Sequence, residues 1–149
     1  MFVELYDTTL RDGSQREGVS FTVLDKLNIA KKIDELGIHF IEGGWPGSNP
    51  KDGEFFRKAK NLELKNSKLV AFGSTCRPRI TAENDSNLKT LIEAGTVAVN
   101  IVAKGSDMHV KHVLETTLEE NLRMIRESVA FLRSNNLEVF VDIEHAFDG

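Results

Sequence analysis

Apolar positions along the chain alternate between two patterns. Short unbroken apolar runs mark strands, and stripes with a spacing of three or four mark helices. Phe2-Val3-Glu4-Leu5-Tyr6 reads as a first strand, rich in β-formers. After a polar loop, Thr22 stands as an N-cap with Asp25 in the first turn. Leu24, Leu27, Ala30, Ile33 and Leu36 then form one helical stripe, which Gly37 stops. His39-Phe40-Ile41 gives a second strand that runs into the glycine-rich turn Glu42-Gly43-Gly44-Trp45-Pro46-Gly47. Asn49-Pro50 opens a second helix, with Pro50 at its first position. Strand three covers Lys68 to Phe72, a short helix runs from about Asp85 to Gly95, and strand four covers Val97 to Val102. Thr117 and Glu120 have the spacing of a capping box. Behind them Leu118, Leu122, Ile125, Val129 and Leu132 repeat at four, three, four and three, and Val139 to Ile143 is strand five.

Strand starts near residues 2, 39, 68, 97 and 138 give units of about 30 to 40 residues, the size of a βα repeat. The three middle strands are short apolar runs, as a parallel sheet covered on both faces requires. Two α/β architectures accept this pattern. One is a five-stranded doubly wound domain; the other is the first five units of a TIM (β/α)8 barrel, which takes about 250 residues. A doubly wound domain would cover its last strand with a helix, and no helical stripe follows Ile143. The expectation is a partial barrel of about five βα units with parallel strands. Residues 1–149 would then be the N-terminal part of a catalytic domain, ending before closure.

Composition narrows the function more than the fold. A chain of 149 residues with 40% hydrophobic and 28% charged residues is that of an ordinary globular protein. No apolar stretch approaches the roughly 20 residues that cross a bilayer, so no membrane partner is expected. The first residues lack the basic and apolar regions of a signal peptide, which points to the cytoplasm. A net charge of -4 and the lack of a basic run with interleaved aromatics argue against nucleic acid as a partner. The single cysteine, Cys76, excludes an intrachain disulfide and a multi-cysteine metal site.

In either architecture chemistry sits at the carboxyl ends of the strands. After strand one come Arg11 and Asp12: a carboxylate able to hold a hard cation, and a guanidinium able to bind a substrate carboxylate or oxyanion. The plainer alternative is a surface Arg–Asp pair capping a loop. Strand two ends at Glu42, strand three at Ser74, Thr75 and Arg77, and strand four at Asn100 and Lys104. Strand five ends at Asp142, Glu144 and His145; Glu144 reads either as a base or as a carboxylate facing water. His109 and His112 share one helical turn and are expected on a solvated face. The Gly43-Gly44 turn lacks the lysine and spacing of a P-loop. Cys76 is read as a loop or core thiol, and Trp45 as packing under its turn.

Asp7-Thr8-Thr9-Leu10-Arg11-Asp12-Gly13-Ser14-Gln15 resembles the strand end that opens barrels of the isopropylmalate/homocitrate/citramalate synthase family. The long-type citramalate synthases are the branch it is most similar to. Glu17-Gly18-Val19-Ser20-Phe21-Thr22, Ile41 to Asp52, Ala71-Phe72-Gly73-Ser74-Thr75, Thr116 to Leu122 and the closing Glu144-His145-Ala146-Phe147-Asp148-Gly149 carry the likeness across the chain. The resemblance implies that Asp12 ligates a divalent metal (magnesium, manganese or zinc) and that Arg11 steadies the carbonyl oxygen of a 2-oxo acid. Gln15 and Glu42 would shape the same substrate pocket, and Glu144 would take part in proton transfers near acetyl-CoA, the co-substrate.

The reaction so implied is an acyl transfer that condenses acetyl-CoA with pyruvate, in isoleucine biosynthesis within the branched-chain pathway. The metal would make the oxo acid's carbonyl electrophilic, and water would finally release CoA. Isopropylmalate synthase (leucine biosynthesis) and homocitrate synthase are the rivals within the family, and a carbon–carbon lyase is a more distant one. The partners implied are small molecules and, through the open sheet edges, further copies in a homo-oligomer. The family's His-x-His metal pair has no counterpart in these 149 residues, and the stretch Ala103 to Val110 departs from the family's aromatic-containing version. A chain with one metal ligand is expected to be inactive alone, as a non-catalytic half-barrel would be.

Overall fold

The structure is a computed structural model and describes residues 2–147. Five strands form one sheet: β1 (Tyr6–Asp7), β2 (Phe40–Gly44), β3 (Lys68–Ser74), β4 (Ala98–Lys104) and β5 (Glu138–Glu144). Their order is β1-β2-β3-β4-β5 and every neighbouring pair is parallel. A doubly wound sheet reverses its strand order at a switch point, and this one does not. The sheet curls into an open half-barrel. Helices α1 (Val23–Glu35), α2 (Pro50–Ala59), α3 (Ser86–Glu93), α4 (Asp107–His112) and α5 (Leu118–Ser134) lie along the connections.

β2, β3 and β4 are buried along most of their length, which explains their unbroken apolar runs, whereas the edge strands β1 and β5 are half-buried to exposed. On the outer face Ile41, Ala71, Val99 and Ile101 pack against Ile33, Phe55, Phe56, Leu88, Leu91, Met124 and Leu132 of the helices. On the inner face Phe40, Val70 and Ala98 pack with Tyr6 and Phe140. The Phe40 and Phe140 rings meet edge to face at 4.9 Å, in the range that favours aromatic pairs.

Local sequence explains where elements begin. Thr22 accepts from the Asp25 backbone N–H while the Asp25 carboxylate accepts from that of Thr22, a full capping box. Asn49 caps α2 ahead of Pro50, and Asp85 caps α3 through the Leu88 N–H. At α5 only half the expected box forms. Thr117 accepts from the Glu120 N–H, but the Glu120 carboxylate turns to the Arg79 N–H and to Arg123.

Other expectations shift for stated reasons. β1 is two residues long, and Phe2, Val3 and Leu5 are exposed; the ladder starts where Tyr6 finds ring partners on β2 and β5. β2, β3, β4 and β5 instead run further at their carboxyl ends, so Ser74, Lys104 and Glu144 stand on strands. In α1 Ala30 and Ile33 are buried, but Leu24 and Leu36 are exposed. The helix is turned so that Lys26 meets Asp52 and Asp34 accepts the N–H groups of Lys65, Asn66 and Ser67. In α5 the buried face is Asn121, Met124, Ser128 and Leu132, with Leu118 and Leu122 outside. Ser128 earns its place there by donating to the Met124 carbonyl and accepting from the Cys76 N–H. His112 is exposed as expected, but His109 is half-buried, its ring edge-on to His145 at 4.8 Å. Asp148 and Gly149 of the closing motif lie outside the described residues.

Candidate functional site

At the end of β2 the chain turns through two glycines at which a Cβ would collide with neighbouring side chains. A β-bulge falls between Glu42 and Gly44. A Cβ on Gly43 would lie 2.5 Å from the Phe55 ring, and one on Gly44 (φ 145°) would lie 2.5 Å from the Asp52 carboxylate. Asp52 in turn accepts from the Trp45 backbone N–H and pairs with buried Lys26. Burial pushes the Lys26 ammonium below its ordinary pKa, and the Asp52 carboxylate offsets part of that.

The bulge leaves the Glu42 side chain inside the half-barrel with no exposure at all. A buried carboxylate must be compensated by donors, and three reach it. Arg11 donates from Nε to Oε1 at 2.6 Å; Tyr6 OH and Asn100 Nδ2 donate to Oε2 at 2.6 and 2.8 Å. Burial, followed by the neighbouring Glu42 carboxylate, pushes the Tyr6 phenol far above its usual range. The Arg11 guanidinium lies 3.9 Å from the centroid of the Phe72 ring, and its Nη1 is 3.2 Å from the exposed carboxylate of Asp12.

Arg11, Gln15, Trp45, Phe72, Ser74, Thr75, Lys104 and Glu144 line a cleft of about 340 Å³ at the carboxyl ends of the strands. Glu144 is ion-paired with Lys104, its register partner on β4. The structure thus brings Arg11, Gln15 and Glu144 to one cavity and holds the exposed Asp12 against the Arg11 guanidinium. Glu42 is beneath them, with its oxygens taken by protein donors, and reaches the cleft through Arg11. Lys104 ends strand four, and the sequence assigns it no role. The pairing of Tyr6 and Asn100 with Glu42 has one signal in the sequence, a polar residue inside the apolar run Val97 to Val102.

The donor set does not make a divalent-cation site by itself. Among the described residues no group of three His, Cys, Asp or Glu side chains is placed to hold a metal. A lone exposed carboxylate, already beside a guanidinium, is too little for a hard cation that takes six or more ligands. Among the same residues no helix is long and apolar enough to cross a membrane.

The HMGL-like family matches residues 2–148. The chain is 56% identical over 147 residues to an (R)-citramalate synthase of Aquifex aeolicus and 55% identical to one of Geobacter sulfurreducens. Each match takes in 99% of the chain and 28% of the relative, so the chain spans little more than a quarter of these relatives' length. A 2-isopropylmalate synthase of Sulfurisphaera tokodaii is 34% identical over 144 residues, 97% of the chain and 35% of the relative. Among solved structures, an HMG-CoA lyase of Bacillus subtilis superposes with a TM-score of 0.71 at 19% identity, over 95% of this chain and 46% of that one. This likeness is one of fold and agrees with a partial (β/α)8 barrel.

Proposed function

The chain belongs to the HMGL-like family, and from that premise we propose that it is the amino-terminal part of a citramalate synthase, an acyltransferase that condenses acetyl-CoA with pyruvate. The reading places it in the cytoplasm, in isoleucine biosynthesis, with small molecules as its ligands. The observation that carries it is the arginine in its cleft. Glu42 occupies Nε, Asp12 meets one N–H of Nη1, and Phe72 supports the face, so the remaining N–H groups of a fixed cation border the cavity. Such donors match the carboxylate and carbonyl oxygens of a 2-oxo acid, whose carbonyl gains negative charge as a carbon nucleophile attacks.

Glu144 lines the same cleft as the group that receives or returns a proton, and Lys104 is ion-paired with it. Gln15 borders the substrate's space. Asp12 is proposed as one metal ligand; the others would come from outside these 149 residues. Identity of 56% and 55% to citramalate synthases, against 34% to a 2-isopropylmalate synthase, favours pyruvate over a bulkier oxo acid.

A thiol-reagent assay for CoA release from acetyl-CoA with manganese tests this on the protein carrying whatever follows Gly149 in the gene. Release that depends on pyruvate and is lost in Arg11→Ala and Asp12→Ala is expected. Preference for 3-methyl-2-oxobutanoate would move the assignment to isopropylmalate, and no release with any 2-oxo acid would sink it. The 149-residue chain alone is expected to release none.

A further inference from the structure

Glu42 and Asn100 are poor choices for stability. Glu42 is completely buried, and Asn100 is 7% exposed between apolar strand neighbours. Asn100 Nδ2 donates to Glu42, and its Oδ1 is buried with no hydrogen-bond partner among the described residues. The amide cannot be turned over to cure this, because Glu42 Oε2 accepts only and would then face a carbonyl oxygen. An orphaned buried acceptor carries a desolvation penalty that a leucine at the same place would not. Local rules are broken in this way where a site needs the broken residue.

What the arrangement achieves is a fixed guanidinium. Tyr6 OH and Asn100 Nδ2 both end on Oε2, which points Oε1 at Arg11 Nε. Asn100 stands beside Phe72 in the β3–β4 register, and the Phe72 ring supports the same guanidinium from below. The geometry points to Tyr6 and Asn100 as positioning residues that act through Glu42 to hold Arg11 ready for a small carboxylate. This rests on the reading of Arg11 as the oxo-acid ligand, and it names two residues, one on β1 and one on β4, on which that binding depends.

The test uses the chain itself and the Arg11 Nε–H resonance in nitrogen-15 NMR, with Tyr6→Phe and Asn100→Leu as variants. Tyr6→Phe keeps the ring that packs on Phe40 and Phe140, and Asn100→Leu removes the orphaned acceptor as well as the donor. Both are expected to speed exchange of the Arg11 Nε–H by about tenfold or more, the scale of one charge-assisted hydrogen bond. Urea melts should show Asn100→Leu close to the parent midpoint, because losing the orphaned Oδ1 offsets losing the Nδ2 bond to Glu42. Exchange within about twofold of the parent in both variants would overturn the proposal, since each loses a bond of that size. So would loss of protection throughout β2 and β4 together with a lower urea midpoint. Titration with pyruvate and manganese, on the protein carrying whatever follows Gly149 in the gene, reads the other premise. Movement of the Arg11 resonance that needs more pyruvate in the variants supports the positioning role. No movement in the parent protein refutes the oxo-acid reading, while the exchange comparison still decides whether Tyr6 and Asn100 hold the guanidinium.

Discussion

Lys26→Met should cost about 3 kcal/mol, a figure that follows from which oxygen loses its partner. Lys26 is 2% exposed and is the donor to Asp52 Oδ1; Oδ2 separately holds the Trp45 N–H at 2.9 Å and Asn49 Nδ2 at 3.1 Å. Removing the ammonium strands half of a buried carboxylate. Severing a buried pair typically costs roughly 3–5 kcal/mol, and the two donors left on Oδ2 argue for the lower end. Methionine keeps the apolar stem, so packing loss is small. For a domain of this size the change lowers Tm by about 6–12 °C. Urea unfolding followed by Trp45 fluorescence is the assay, because this is the chain's single tryptophan and its own N–H ends on Asp52. A cycle with Asp52→Asn should show coupling of about 2 kcal/mol. If Lys26→Met stayed within about 0.5 kcal/mol of the parent, the ordinary range of an inconsequential surface change, the clamp would not hold the turn.

Gly43→Ala should destabilise by about 1–3 kcal/mol through overpacking against the Phe55 ring, and equal urea midpoints would show that α2 can move aside. Arg123 and then the Arg79 N–H hold the Glu120 carboxyl at about 2, below its ordinary 4.5. The native state therefore keeps this carboxylate ionised where the unfolded chain binds a proton. Its stabilisation is present above about pH 4.5 and is lost as the pH falls towards 2. Glu120→Gln should flatten the fall in stability across that window, and an unchanged acid melt would refute the assignment. Tyr6 has the opposite sign. Its pKa is raised by burial and then by Glu42, so its contribution is whole below pH 10 and is lost as the pH rises beyond it. In an alkaline titration the phenolate band of this single tyrosine should appear at lower pH in Glu42→Gln, and superimposable curves would count against the Tyr6–Glu42 bond.

The elements were legible because each has a local cause. Thr22 with Asp25, Asn49 with Pro50, and Asp85 start helices through bonds within three residues, and the runs of β2, β3 and β4 are apolar because both faces are covered. What could not be read locally is which way each helix faces. Periodicity put Leu24 and Leu36 on the core side of α1, but contacts 26 residues away (Lys26 to Asp52) and more than 30 away (Asp34 to the Lys65–Ser67 backbone) set the rotation. The same holds for α5, where Ser128 is buried because Cys76, 52 residues earlier, needs an acceptor for its N–H. Among site residues, Arg11, Gln15 and Glu144 could be placed at strand ends from topology alone. The role of Glu42 could not, since it follows from donors 31, 36 and 58 residues distant.

Those long spans also explain why the costly residues lie where they do. An arginine on a loop would ordinarily sample many rotamers and lose that freedom on meeting a ligand. Here the order is imposed at folding, by a carboxylate that β2 buries and by donors that β1 and β4 bring to it. The stability given up in an orphaned Asn100 acceptor and a buried Glu42 is therefore the counterpart of a guanidinium already in place. A leucine at position 100 would restore freedom to Arg11, so ligand affinity should fall at that one residue without a matching loss of stability.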